Sequence, residues 1–132
     1  MNKIEHLGIA VNNIEDSMRI YELLLNQSCY KTEEVESEGV KTAFIQIGET
    51  KIELLQATRP DSPIAKFIEK KGQGIHHIAL DVTNIHEEIK RLLAQGFQLI
   101  NPVPKDGADN KLIAFLHPKS TDGILIELCQ EK

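Results

Sequence analysis

The chain has 132 residues, of which 41% are hydrophobic and 27% charged, so it can form one globular domain and is not a disordered protein. No apolar stretch approaches membrane-spanning length, no signal peptide is recognisable, and the formal net charge of −5 argues against nucleic-acid binding. Only two cysteines are present, which excludes a disulfide framework, and we expect a cytoplasmic protein.

The first predicted element is a strand over residues 4–11, in which small and large residues alternate. His6, Gly8 and Ala10 share one face, and the apolar face opposite should pack on helices. A helix capped by Asn13 follows, with apolar residues at helical spacing. Three strands are then predicted, over residues 29–36, 40–47 and 50–57.

A linker helix is predicted over residues 61–72, from the prolines at its start and the glycine at its end. A strand around His77 then precedes a helix capped by Asn84. Three further strands are expected, over residues 97–100, 112–117 and 124–129. The chain is therefore predicted to be one α+β domain of two βαβββ modules, about residues 1–58 and 74–132, which can form a curved mixed sheet around a central cleft.

The two modules repeat each other in sequence. The repeat is carried by four stretches, Ile4–Ile14 with Ile75–Ile85, and Ile52–Gln56 with Ile126–Gln130. His6 thereby has a counterpart in His77 at an offset of 71 residues (77 − 6), and Glu53 has one in Glu127 at an offset of 74 (127 − 53). A repeat of this length indicates a duplicated structural unit.

Glu53 and Glu127 each interrupt an apolar strand, where a buried carboxylate is costly unless it is paired or bound to a cation. With His6 and His77 they offer two nitrogen and two oxygen ligands, which suits a divalent Mn, Co, Ni, Fe or Zn ion in octahedral geometry. Solvent-exposed side chains would leave the duplication of all four residues unexplained. His76 lies on the opposite face of its strand and is not assigned as a ligand.

The duplicated module and its four ligands resemble the vicinal oxygen chelate superfamily, which includes glyoxalase I, bleomycin-resistance proteins and extradiol dioxygenases. Within it, the chain resembles the methylmalonyl-CoA epimerases, most specifically over Asp61–Phe67 and His117–Ser120. The resemblance implies a homodimeric, metal-dependent epimerase that interconverts (2R)- and (2S)-methylmalonyl-CoA. The α-proton would leave and return through an enolate that the metal ion stabilises.

Epimerisation requires a base on one face of the planar enolate and an acid on the other. The resemblance makes Glu127 the first candidate, and Glu38 a secondary one, because Thr42 stands where some epimerases carry a glutamate. The candidate contacts to the acyl-CoA substrate are His117, Lys119 and Lys111. Further cations that could meet the CoA phosphates are Lys66, Lys70, Lys71 and Lys105.

Other functions use the same module. Glyoxalase I (lactoylglutathione lyase) also carries His, Glu, His and Glu, but bacterial glyoxalases usually have a glutathione-binding arginine at the position of Ala10. A non-catalytic drug- or metabolite-binding member commonly lacks the complete metal set that this chain retains. An extradiol dioxygenase would use two histidines and one glutamate in a longer chain.

Overall fold

The computed structural model describes residues 1–132, which form eight strands and three helices. The strands are β1 (Lys3–Ala10), β2 (Lys31–Val35), β3 (Val40–Ile47), β4 (Thr50–Ala57), β5 (Gly74–Asp81), β6 (Lys105–Gly107), β7 (Lys111–Leu116) and β8 (Ile126–Glu131). The helices are α1 (Ile14–Leu25), α2 (Pro63–Lys71) and α3 (Ile85–Ala94). This order confirms the α+β class and the tandem βαβββ modules joined by a helix. None of the helices is long and apolar enough to cross a membrane.

Residues His6–His76 form one compact unit, called here the first unit. Its strand order is β2-β3-β4-β1, with β1 parallel to β4 and the other pairs antiparallel. One apolar cluster packs α1 on the sheet through Ile14, which contacts the strand residue Leu54 among others. A second cluster packs α2 through Ile64 against Ala10 and Leu55. Because side chains alternate along a strand, the two helices cover opposite faces of this sheet.

Residues His77–Lys132 and Met1–Glu5 form the second unit. Its strand order is β5-β8-β7-β6, with β5 parallel to β8 and the other pairs antiparallel. Asn2 belongs to this unit because its backbone N–H and side-chain amide donate to the backbone and carboxylate oxygens of Asp81, at 2.9 and 2.8 Å. Helix α3 packs Ile85, Ile89 and Leu92 on β7 and β8, whereas Leu93 is exposed.

Helices α1 and α3 begin in the same way. The predicted caps, Asn13 and Asn84, each accept a hydrogen bond from the backbone N–H three residues on, at 2.9 and 3.2 Å. A second contact was not predicted: the side-chain oxygens of Gln56 and Gln130 each accept a hydrogen bond from the first backbone N–H of the helix, at 2.7 Å. Each glutamine lies three residues after a strand glutamate, so the strand that carries the glutamate also anchors the helix.

The strand predicted over residues 97–100 is wrong. This segment makes one bridge to β7, through Leu99, and regular pairing resumes only where β6 begins at Lys105. Pro102 and Pro104 lie in the gap, and proline has no N–H to donate to a strand ladder. The other predicted strands and the linker helix differ from the observed bounds by no more than two residues at either end.

Candidate metal centre

His6 and Glu53 form a buried pair in the first unit. Gly8 lies opposite Glu53 in the parallel register of β1 and β4, and His6 precedes Gly8 by two residues, on the same face. His6 Nε2 lies 3.1 Å from Glu53 Oε1, and each residue is 5% exposed. The strand register therefore brings together two residues that are 47 positions apart (53 − 6).

His77 and Glu127 repeat this arrangement in the second unit. Ala79 lies opposite Glu127 in the parallel register of β5 and β8, and His77 precedes Ala79 by two residues. His77 Nε2 lies 3.6 Å from Glu127 Oε1, and the two residues are 4% and 5% exposed. The duplication in sequence is thus also a duplication of strand register and of side-chain pairing.

A phenylalanine stands beside each glutamate. Phe44 lies opposite Glu53 in the antiparallel pair β3–β4, and Phe115 lies opposite Glu127 in the pair β7–β8. The rings of His77 and Phe115 meet edge to face, with their centroids 5.9 Å apart. Each buried glutamate thus has an aromatic ring beside it as well as its histidine, and a buried ionised carboxylate needs a cation or several hydrogen bonds.

The residues present fit a divalent metal ion. His6, His77 and Glu127 are buried and can supply imidazole nitrogen and carboxylate oxygen ligands. Glu53 is not one of this group; it lies beside His6, and its place as a fourth ligand stays a prediction from the sequence. Ligand atoms about 2.1 Å from an ion and at right angles to each other are about 3 Å apart. The 3.1 Å between His6 Nε2 and Glu53 Oε1 is close to this separation.

The two oxygens of Glu127 have different surroundings. Oε1 faces His77, whereas Oε2 accepts a hydrogen bond from the thiol of Cys129 at 2.6 Å. Cys129 is 0% exposed and lies two residues after Glu127, on the same face of β8. This contact cannot be predicted from the sequence, because it depends on which side-chain rotamers Cys129 and Glu127 adopt.

Thr42, which stands where some epimerases carry a glutamate, and Glu38, the secondary candidate for the acid or base, have different positions. Thr42 is 1% exposed and lies opposite Leu55 in register, so it shares the sheet face of Glu53. Its hydroxyl donates to the backbone oxygen of Glu33 at 3.3 Å. Glu38 is half-buried in a 3-10 turn, Glu36–Glu38, that precedes β3, so it is not part of a sheet strand.

Among the predicted substrate contacts, His117 has a structural role that the sequence did not reveal. Its Nδ1 accepts a hydrogen bond from the backbone N–H of Lys119 at 3.1 Å and so caps the 3-10 turn Pro118–Ser120. A ring that accepts at Nδ1 carries its proton on Nε2 when neutral. His117 is half-buried, and the side chain of Lys119 is exposed.

Lys111 is the candidate whose burial is most unusual, since it is only 7% exposed. Strand alternation places it on the same face of β7 as Phe115, which stands opposite Glu127. Glu131 lies directly opposite Lys111 in register but forms no ion pair with it. The remaining candidate lysines lie at exposed positions of α2 (Lys66, Lys70 and Lys71) or half-buried in β6 (Lys105).

The other histidines have separate environments. His76 is half-buried and its ring packs edge-on against Phe67, with centroids 5.0 Å apart. His86 is exposed on α3, as expected for a helix surface residue.

Residues 5–115 match the model of the glyoxalase/bleomycin resistance protein/dioxygenase superfamily. The chain is 44% identical over 132 residues to an uncharacterised protein of Bacillus subtilis, covering 100% of this chain and 94% of that protein. It is 41% identical over 129 residues to the mitochondrial methylmalonyl-CoA epimerase of Dictyostelium discoideum, covering 97% and 78%. A Streptomyces coelicolor methylmalonyl-CoA epimerase variant, solved with 2-nitronate-propionyl-CoA, superimposes with a TM-score of 0.95 at 30% identity, covering 99% and 95%. The chain therefore belongs to the glyoxalase/bleomycin resistance protein/dioxygenase superfamily and is related to its methylmalonyl-CoA epimerases.

Proposed function

We propose that the protein is a metal-dependent epimerase that interconverts (2R)- and (2S)-methylmalonyl-CoA. The observation that carries the proposal is the presence of two buried His–Glu pairs in a chain that is related over nearly its whole length to methylmalonyl-CoA epimerases. The proposal includes one divalent ion held by His6, Glu53, His77 and Glu127. When bound, this ion would supply Lewis acidity toward the thioester carbonyl and carboxylate oxygens, which makes the α-proton easier to remove.

Glu127 is the proposed base for the α-proton. A carboxylate offers about four lone-pair positions on its two oxygens, so a contact at Oε1 and another at Oε2 leave positions at which a proton can be accepted. Glu127 is 5% exposed and Phe115 lies opposite it, so few water molecules can compete for the proton. The same carboxyl group can return the proton to the face from which it came.

Epimerisation also needs a proton on the opposite face. Thr42 is a poor choice, because its hydroxyl already donates to a backbone oxygen and an alcohol is not a base at neutral pH. We propose Glu38 or Glu53 for this role. Glu53 occupies the position in the first unit that Glu127 occupies in the second. The variants Glu38→Gln and Glu53→Gln separate them: the residue that serves the opposite face is the one whose loss stops inversion while α-proton exchange continues.

Lys111 is proposed to bind an anionic group of the acyl-CoA, together with His117 and Lys119. Most of the Lys111 side chain is packed against the protein, and a carboxylate or phosphate of the substrate is the natural partner for its ammonium group. Lys111 also shares a sheet face with the residue opposite Glu127, so a ligand on that face could contact both regions.

The structure provides a reason against a glyoxalase. Ala10, where bacterial glyoxalases usually carry the arginine, is 0% exposed and packs in a cluster with Ile64 of α2. An arginine side chain at this position would either displace α2 or bury its charge among apolar side chains.

The test is proton NMR of methylmalonyl-CoA in D2O with the protein reconstituted with Mn²⁺, Co²⁺, Ni²⁺, Fe²⁺ or Zn²⁺. The proposal predicts loss of the α-proton signal and conversion of one epimer into the other, and no turnover of the hemithioacetal of methylglyoxal and glutathione. Turnover of the hemithioacetal alone would establish a glyoxalase instead. Binding of either compound without turnover would indicate a non-catalytic member of the superfamily. Light scattering tests the expected homodimer, and the cytoplasmic location stays a prediction.

A further inference from the structure

Cys129 donates a hydrogen bond to Glu127 that has no role in the reaction proposed above. Its thiol is fully buried and donates to Glu127 Oε2 at 2.6 Å, while Glu127 Oε1 faces His77 Nε2 at 3.6 Å. A carboxylate that accepts a hydrogen bond at Oε2 does not rotate freely about its terminal bond, because the rotation breaks that contact. The thiol therefore constrains the plane of this carboxyl group.

The first unit lacks an equivalent of this contact. The residue that corresponds to Cys129 at the offset of 74 is Leu55 (129 − 74), and it packs in an apolar cluster with Ile64 and Ala10. Leucine has no donor, so Glu53 receives no hydrogen bond from this position. Each of the two glutamates thus has the same strand register and a histidine beside it, but the residue two positions later differs.

We infer that Cys129 is a positioning residue that orients the Glu127 carboxylate through its S–H···O hydrogen bond, so that Oε1 is presented to the metal ion and a lone pair of Oε2 to the α-proton. The inference rests on the proposed function for the proton, but the orientation of Oε1 is independent of the substrate. A residue without a donor at position 129 would let the carboxyl group turn away from the histidine side. Outer partners of metal ligands typically change metal affinity or activity by about 10- to 100-fold when they are removed.

The test compares Cys129→Val, which keeps a similar volume without a donor, with Cys129→Ser, which keeps a donor. Metal affinity is measured with Mn²⁺ and Co²⁺ by isothermal titration calorimetry on the substrate-free protein, and kcat and KM are measured with methylmalonyl-CoA. We expect Cys129→Val to lose about tenfold or more in metal affinity and in kcat with little change in KM, and Cys129→Ser to recover most of both. Cys29→Ser, at the half-buried thiol near β2, is the matched control and should change neither.

Several results would overturn the inference. Metal affinity and kcat of Cys129→Val within twofold of the wild-type values would remove Cys129 from this role. Equal losses in the valine and serine variants would assign the effect to packing instead of the hydrogen bond. Circular dichroism and urea midpoints identify a variant that fails to fold, in which case Cys129→Ala replaces it. If the wild-type protein does not react with methylmalonyl-CoA, the proposed function fails, and the metal affinities of the same variants still decide the role of Cys129.

Discussion

The two units keep the same His–Glu pair but surround it differently. In the first unit, Ala10, Val40 and Leu55 form an apolar cluster that α2 covers through Ile64. The residues at the corresponding positions of the second unit are polar or carry a thiol: Asp81 (10 + 71), Lys111 (40 + 71) and Cys129 (55 + 74). Burial under α2 stabilises the first unit, whereas in the second unit Asp81 accepts a hydrogen bond from Asn2 and Cys129 donates one to Glu127.

The two units therefore differ in the residues that surround the His–Glu pair. The buried His–Glu pair is present in both units. Its neighbours differ: the first unit has an apolar cluster, whereas the second unit has the groups that we propose for proton transfer and substrate binding. We therefore expect similar effects of substitution in the two units at the histidines and at the helix starts, and different effects at the neighbours of the His–Glu pairs.

The largest effect is expected at the histidines. His6→Ala and His77→Ala should each weaken Mn²⁺ or Co²⁺ binding by more than about 100-fold, since loss of a direct ligand costs more than loss of an outer partner. Metal content after dialysis and titration calorimetry give the affinity. His86→Ala, at an exposed position of α3, is the control. Unchanged metal stoichiometry in either ligand variant would remove that unit from the metal centre.

A smaller effect is expected at Lys111, where the units differ most in charge. Lys111→Met keeps the long stem and removes the ammonium group, so KM for the acyl-CoA should rise about tenfold, as for the loss of one hydrogen bond to a charged group. Metal affinity should not change. Lys90→Met, on the exposed side of α3, is the matched control. A KM equal to that of the wild type would show that Lys111 does not bind the substrate.

The smallest effect concerns the helix starts, where the two units are alike. Gln56→Ala and Gln130→Ala each remove the side-chain acceptor of a 2.7 Å hydrogen bond from the first N–H of α1 or α3. Each should lower the free energy of unfolding by about 1 kcal/mol, as measured by urea denaturation. Gln27→Ala, at an exposed position beyond α1, should have almost no effect. A large difference between the two glutamine variants would show that the repeat is not energetically symmetric.

Local patterns explain what the sequence predicted. Alternation defined the faces of β1 and β5, the asparagine caps marked the helix starts, and the duplication singled out His6, Glu53, His77 and Glu127. The structure pairs each histidine with the glutamate of its own unit. The break before β6 was missed because the apolar residues near Leu99 outweighed the two prolines that follow.

Contacts that depend on neighbouring strands or on rotamers could not be predicted. Gln56 and Gln130 reach helix ends more than 40 positions away in sequence, at Ile14 and Ile85. The capping role of the His117 ring and the hydrogen bond from Cys129 to Glu127 each depend on one side-chain torsion. The burial of Lys111 depends on its place in the sheet, and no local pattern distinguishes it from the exposed lysines.

The most direct test of the account is the rate of α-proton exchange of methylmalonyl-CoA in D2O for Glu127→Gln beside Glu53→Gln, both loaded with metal to a measured stoichiometry. The account predicts that Glu127→Gln lowers exchange by about 10²- to 10⁴-fold, as for loss of a general base, while Glu53→Gln continues to exchange the proton. Exchange at the wild-type rate in metal-loaded Glu127→Gln would contradict the assignment of proton transfer to the second unit.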